Sequence, residues 1–189
     1  MRWLNVPNLL SLLRLALVPF AVRAICAGDY RGALLIFAAA AITDALDGPL
    51  ARHFRCTTRV GAYLDPIADK ALLSSTYIAL GVSGAVPWLL VGLVFGRDLL
   101  ILALVGAALL ITDYRDFPPN FWGKLSTAVQ AAAAVWVIVA EAFPAVGLSS
   151  GPMLWAVAAA TIWSGLAYLW RAFEMARARL AKCSPVKSD

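Results

Sequence analysis

An all-α integral membrane bundle of six transmembrane helices is the fold class that the sequence predicts, and three observations carry that expectation. Of the 189 residues, 62% are hydrophobic and 14% are charged, against roughly 45–50% and about 25% in an ordinary soluble domain. The mean hydropathy is +0.79. Six stretches approach the about 20 mostly apolar residues that a bilayer requires, and together they use nearly the whole chain. Too little polar surface remains to cover a soluble globule, which argues against a disordered chain, a disulfide-stapled secreted module and a soluble enzyme.

The first stretch, Asn8 to Cys26, carries Arg14 and Arg23 and lacks an obvious small-residue cleavage site, so it is read as a retained helix and not a signal peptide. The second, Gly32 to Leu50, contains Asp44 and Asp47 near its end, and the third, Ala62 to Val82, has Asp65 and Asp69 near its start. Pro66 removes a helical hydrogen bond, so a helix start or a bend is expected there. The fourth stretch, Pro87 to Ile111, is broken only by Arg97 and Asp98. The fifth, Leu125 to Phe143, and the sixth, Pro152 to Arg171, are rich in alanine, which favours close helix packing in lipid. Residues 1–172 are thus expected to form one transmembrane domain, followed by a basic cytoplasmic tail over residues 173–189.

The formal charge of +5 comes from 16 Lys and Arg against 11 Asp and Glu. In a membrane protein such an excess reports topology, and no nucleic-acid partner is expected. Arg2, the connector with Arg52, Arg55 and Arg59, the connector with Arg115 and Lys124, and the tail from Arg171 to Lys187 alternate with nearly uncharged connectors. Both termini are therefore expected on the cytoplasmic side, with the tail drawn to anionic headgroups. Cys26, Cys56 and Cys183 lie far apart without CxxC spacing, so neither a disulfide framework nor a zinc site is indicated. His53 sits in the basic connector and receives no role. Trp88, Trp122 and Trp155 fall near helix ends, where the default role is interfacial anchoring.

Ionisable residues within apolar helices cost several kcal/mol unless paired, hydrated or bound to a cation. Asp44, Asp47 and Ala51 share one helical face at i, i+3 and i+7, and Gly61, Asp65 and Asp69 share another at i, i+4 and i+8. Two antiparallel helices would present these carboxylates toward one another. Four such charges repel and drive proton uptake unless cations sit among them, and an oxygen-only set suits hard divalent ions such as magnesium. Gly48 and Gly61 remove side chains beside the carboxylates, and Arg52 has the bidentate guanidinium that grips a phosphate oxygen. Acidic groups for metal, glycine for access and arginine for phosphate point to a phosphorylated substrate, and the membrane setting to a lipid. Lys70 is expected to neutralise Asp69 or the carboxylates as a group.

The segment DALDGPLARHFRCTTRVGAYLDPIAD, from Asp44 to Asp69, resembles the signature of the CDP-alcohol phosphatidyltransferase family. All eight fixed positions are matched: Asp44, Asp47, Gly48, Ala51, Arg52, Gly61, Asp65 and Asp69. NVPNLLSLLR at Asn5 to Arg14 resembles the family's opening segment, and GKLSTAVQ at Gly123 to Gln130 the start of its fifth helix. The resemblance implies a six-helix enzyme that transfers a phosphatidyl group from CDP-diacylglycerol to an alcohol and releases CMP. It implies Asp44, Asp47 and Asp65 as ligands of Mg2+ or Mn2+, two ions in all, and Asp69 as general base with a share in metal binding. Gly48, Ala51, Arg52 and Gly61 would line the CDP site, and a homodimer is implied.

Within the family, NVPNLLSLLR and LDPIADK look like the branch that makes phosphatidylglycerophosphate or cardiolipin. Gly96-Arg97-Asp98 with no basic residue from Leu99 through Ile111 looks more like the cardiolipin synthases. A doubly charged glycerol 3-phosphate wants further positive partners, so phosphatidylglycerol is the slightly favoured acceptor. Arg97, Arg115 and Lys124 are the candidate acceptor contacts, with pairing of Arg97 to Asp98 as the alternative. An ion-coupled transporter is the reading from a different class. It is disfavoured because the carboxylates gather toward one face and no inverted repeat is evident. A bacterial inner membrane, with the site facing the cytoplasm, is the expected location.

Overall fold

The computed structural model describes the backbone of residues 6–54, 59–111 and 121–183. It describes their side chains except at 6–8, 10, 44–54, 59–66, 105, 107–111, 175–176 and 178–183. Among the described residues the chain is all-helical, with α1 (Val6–Cys26), α2 (Tyr30–Phe54), α3 (Arg59–Val82), α4 (Trp88–Ile111), α5 (Phe121–Ala142) and α6 (Gly151–Cys183). A short 3-10 turn, Pro144–Val146, joins the last two.

The turn between α1 and α2 follows from the three residues Ala27-Gly28-Asp29. Gly28 adopts a left-handed φ of 74°, which an L side chain disfavours. Its N–H donates to the Ile25 carbonyl at 3.0 Å while that of Asp29 donates to Ala24 at 2.9 Å, the pair of bonds that closes a helix C-terminus in a Schellman motif. Asp29 then starts α2, its carboxylate accepting from the Gly32 N–H at 2.9 Å, as an N-cap does. Replacing Gly28 with alanine meets no neighbouring atom, so the expected loss of about 1 kcal/mol is purely a backbone effect. It is read as a lowered thermal midpoint with unchanged activity.

Two expectations change. Pro66 neither starts nor ends a helix, because α3 begins at Arg59 and runs through it. Residues 173–183 of the expected tail continue α6, a helix of 33 residues, about 50 Å long, and residues 184–189 lie outside the described set. The boundary expected at residue 172 therefore falls inside a single element.

The described core lies toward the end of the bundle where α1 finishes and α2 starts. Ile25, Ala33, Tyr77, Leu80, Val86, Val94, Ala134, Ile138 and Val157 pack there. Ala133 and Ala134 on α5 let the helices approach closely. α1 lies against both α2 and α3, α4 against α6, and α5 against α2 and α6. Among the described residues α2 and α3 do not approach each other directly. α1 is the helix they share.

The outside of the bundle is apolar. Leu89 is 83% exposed, and Leu35, Leu99, Leu102, Trp155 and Trp170 are exposed on other faces, far more apolar surface than a water-solvated monomer shows. Among the described residues, Phe121–Ala142 and Gly151–Glu174 are long and apolar enough to cross a membrane. The remaining four long helices contain charged residues or run into residues outside the described set.

Candidate active site

The signature residues fall on helices. Asp44, Asp47, Gly48, Ala51 and Arg52 lie in the last turns of α2, Gly61 in the first turn of α3, and Asp65 and Asp69 further along α3. The side chains of Asp44, Asp47, Gly48, Ala51, Arg52, Gly61 and Asp65 lie outside the described residues, as does the whole of Arg115. Asp69 is described, and its carboxylate is about half exposed, at 54%. It accepts a hydrogen bond from the Arg14 guanidinium of α1, whose side chain is only 2% exposed. An interior guanidinium is costly unless a carboxylate answers it, so this pair fixes α1 against α3 at the fourth aspartate.

Arg14 had no role in the sequence reading. The signal that could have found it was the cation within an apolar stretch at the end of NVPNLLSLLR. Because α1 touches both α2 and α3, it brings a charge to a signature that it does not itself contain. The apposition of the α2 and α3 carboxylates expected from the sequence rests on Asp44, Asp47 and Asp65, whose side chains lie outside the described residues.

Lys70 does not serve Asp69. Its Nζ lies 2.5 Å from Asp98 Oδ2 on α4, because consecutive helical residues point about 100° apart. Asp98 also accepts from Arg97 Nη1 at 2.7 Å. Arg97 directs its other donors inward, Nε and Nη2 to Ser164 Oγ at 3.3 and 2.9 Å and Nη2 to the Gly123 carbonyl at 3.1 Å. Its guanidinium carbon stands 6.0 Å from the centre of the Tyr168 ring, within range of a cation–π contact. Arg97 is thereby a buried clamp joining α4, α5 and α6, which is the alternative the sequence left beside the acceptor role. Lys124 is exposed in the first turn of α5.

Gly123 permits this clamp. A Cβ there would stand 2.6 Å from Tyr168 Oη, so a side chain at this position would push aside the ring that stacks near Arg97. Deeper in the bundle, Tyr77 Oη donates to the Gln130 carbonyl at 2.9 Å, and Gln130 Nε2 donates to Thr161 Oγ1 at 3.0 Å. Buried polar groups thus link α3, α5 and α6, as lipid-embedded helices require of such groups.

All four candidate metal ligands are carboxylates, and the described one, Asp69, offers an accessible oxygen. That donor chemistry fits Mg2+ or Mn2+ and not a soft metal.

The comparisons fix the family. The model described as CDP-alcohol phosphatidyltransferase matches residues 4–166, and the chain belongs to that family. A Mycobacterium tuberculosis protein named "Probable phosphatidylglycerophosphate synthase" is 40% identical over 135 residues, 68% of this chain and 63% of that one. The Rattus norvegicus protein named "Cardiolipin synthase (CMP-forming)" is 34% identical over 146 residues, 67% of this chain and 47% of the relative. A Mycobacterium bovis protein provisionally named cardiolipin synthase is 33% identical over 172 residues, 89% and 79% of the two chains. The chain spans 63% of the length of the first of these relatives. The family is membrane-associated and generally depends on a divalent metal.

Proposed function

We propose that this chain transfers the phosphatidyl group of CDP-diacylglycerol to a glycerol hydroxyl and releases CMP. The observation that carries the reading is the intact eight-position signature lying on α2 and α3 of a bundle with an apolar exterior. In this reading Asp44, Asp47 and Asp65, with a share from Asp69, hold two Mg2+ or Mn2+ ions. When bound, the metal neutralises the donor diphosphate and the charge that develops on departing CMP. Gly48 and Gly61 leave room for the CDP moiety, Ala51 lines the same site, and Arg52 grips a phosphate oxygen.

Asp69 takes the proton from the acceptor hydroxyl as its oxygen bonds to the lipid-bearing phosphorus. The bond from that phosphorus to the CMP oxygen breaks, and CMP departs with the electron pair. The Arg14 pair aims the Asp69 carboxylate. The acyl chains stay in the bilayer while the cytidine head lies at the cytoplasmic face. All six helices span the membrane in this reading, with both termini on that side and two copies forming a homodimer in a bacterial inner membrane.

Phosphatidylglycerol is the favoured acceptor, which makes the chain a cardiolipin synthase. Its support is the inward commitment of Arg97, which removes one cation from those a doubly charged acceptor would use. Glycerol 3-phosphate is the second reading, favoured by the 40% identical relative. The test is CMP release from CDP-diacylglycerol by purified protein offered phosphatidylglycerol, glycerol 3-phosphate, inositol or serine separately. Release with phosphatidylglycerol alone supports the first reading, release with glycerol 3-phosphate alone supports the second, and release with none overturns both.

Chelation with EDTA is expected to abolish CMP release, and added Mg2+ or Mn2+ to restore it. Activity that persists after exhaustive chelation would remove the metal role from the four aspartates.

A further inference from the structure

Resting on the transferase reading, we infer that Lys70 binds the phosphate of the acceptor, with Asp98 as the residue that positions its ammonium. Arg97 and Lys70 share the single Asp98 carboxylate, so the group of three carries one positive charge in excess. Arg97 already neutralises Asp98, at 2.7 Å and with side chains 6% and 20% exposed. Asp69 is answered by Arg14. Among the described residues Lys70 thus has only a carboxylate that it shares with Arg97, and a cation so placed in an apolar bundle is favoured by a further anion or water.

The Lys70 side chain is 44% exposed, in contrast to the buried Arg97. An ammonium has three donors, and Asp98 takes one. Lys70 also follows directly on Asp69 in α3, so the two side chains leave the helix at one level, about 100° apart around its axis, and a ligand several atoms long is needed to meet both. A glycerol phosphate suits this arrangement. Its hydroxyl would reach Asp69 while its phosphate, at the other end of a three-carbon unit, meets Lys70. Glycerol 3-phosphate and phosphatidylglycerol share that chemistry, the first as a monoester and the second as a diester. The clamp to Ser164 and Gly123 holds Asp98 through Arg97, and so sets where the ammonium stands.

Two measurements on the full-length protein in phosphatidylcholine nanodiscs test this. In the first, Lys70→Met is expected to raise KM for the acceptor about 10-fold to 100-fold, the loss of one charge-assisted hydrogen bond. KM for CDP-diacylglycerol stays within about twofold, and Lys70→Arg recovers most of the acceptor affinity. Glycerol 3-phosphate and phosphatidylglycerol are assayed separately, so the source of the phosphate is read from which KM moves. Equal changes for donor and acceptor, or an unchanged acceptor KM, overturn the assignment.

The second uses wild-type protein and needs neither a variant nor turnover. Lysines are acylated with acetic anhydride with and without each acceptor, and the modified positions are read by mass spectrometry. Lys70 is expected to be protected several-fold. Absence of protection by both acceptors overturns the assignment. Protection of Lys70 without CMP release would keep the phosphate site and overturn the transferase reading.

Discussion

Asp69→Asn is expected to lower CMP release by about 10²-fold to 10⁴-fold, the range that a positioned general base supplies. The amide cannot take the proton of the attacking hydroxyl, yet it has nearly the same shape. Its oxygen still accepts from Arg14, so the link between α1 and α3 persists in weaker, singly charged form. Helical content and a cooperative thermal transition are therefore expected to survive. Activity of the wild-type order in a folded Asp69→Asn protein would take the base role away from this residue. A drop in activity accompanied by loss of the folded state would instead make the Arg14 pair the main contribution of Asp69. Circular dichroism and CMP release measured on one preparation separate these outcomes.

The largest effect on stability is expected from Arg97→Ala. The substitution strips Ser164 of the guanidinium donors, leaves the Gly123 carbonyl with Thr127 Oγ1 in place of two side-chain donors, and leaves Asp98 with Lys70 alone. Asp98 keeps Lys70 as its counter-ion, so the loss comes from the buried polar groups left without Arg97, about 1–3 kcal/mol for each. A lower thermal midpoint in detergent is the readout. Arg97→Lys is expected to recover only part of the loss, since an ammonium cannot span Asp98, Ser164 and Gly123 as the planar guanidinium does. An Arg97 that acted as an acceptor contact would behave differently, raising KM for the acceptor at unchanged stability.

These two residues show how unevenly the site was legible. Asp69 was visible in the sequence because a signature fixes residue types at set spacings along two neighbouring helices, and such spacings translate directly into shared helical faces. Arg97 was visible as an ionisable residue in an apolar stretch, but its partners were not. Ser164 lies 67 residues further on and Gly123 lies 26 further on, and no local periodicity links them. Lys70 was matched with its sequence neighbour Asp69, whereas the helical turn sends it to Asp98. Arg14 stands 55 residues from Asp69 and could be matched to it only once α1 was known to lie against α3.

Hydropathy and motif spacing by themselves determined that the chain is helical, predominantly apolar and built around four aspartates at the family's signature spacing. They also located the six helical stretches to within about four residues, except that α6 continues past the expected end at Arg171 to Cys183, since each must supply enough apolar length to replace water as solvent. The tertiary structure alone decided that α1 touches both signature helices, that Arg14 answers Asp69 and that Arg97 turns inward. The physical reason is that charge pairing in an apolar bundle is settled by which helices touch. Sequence distance carries no information about that contact, and a cation takes the carboxylate that packing brings within reach.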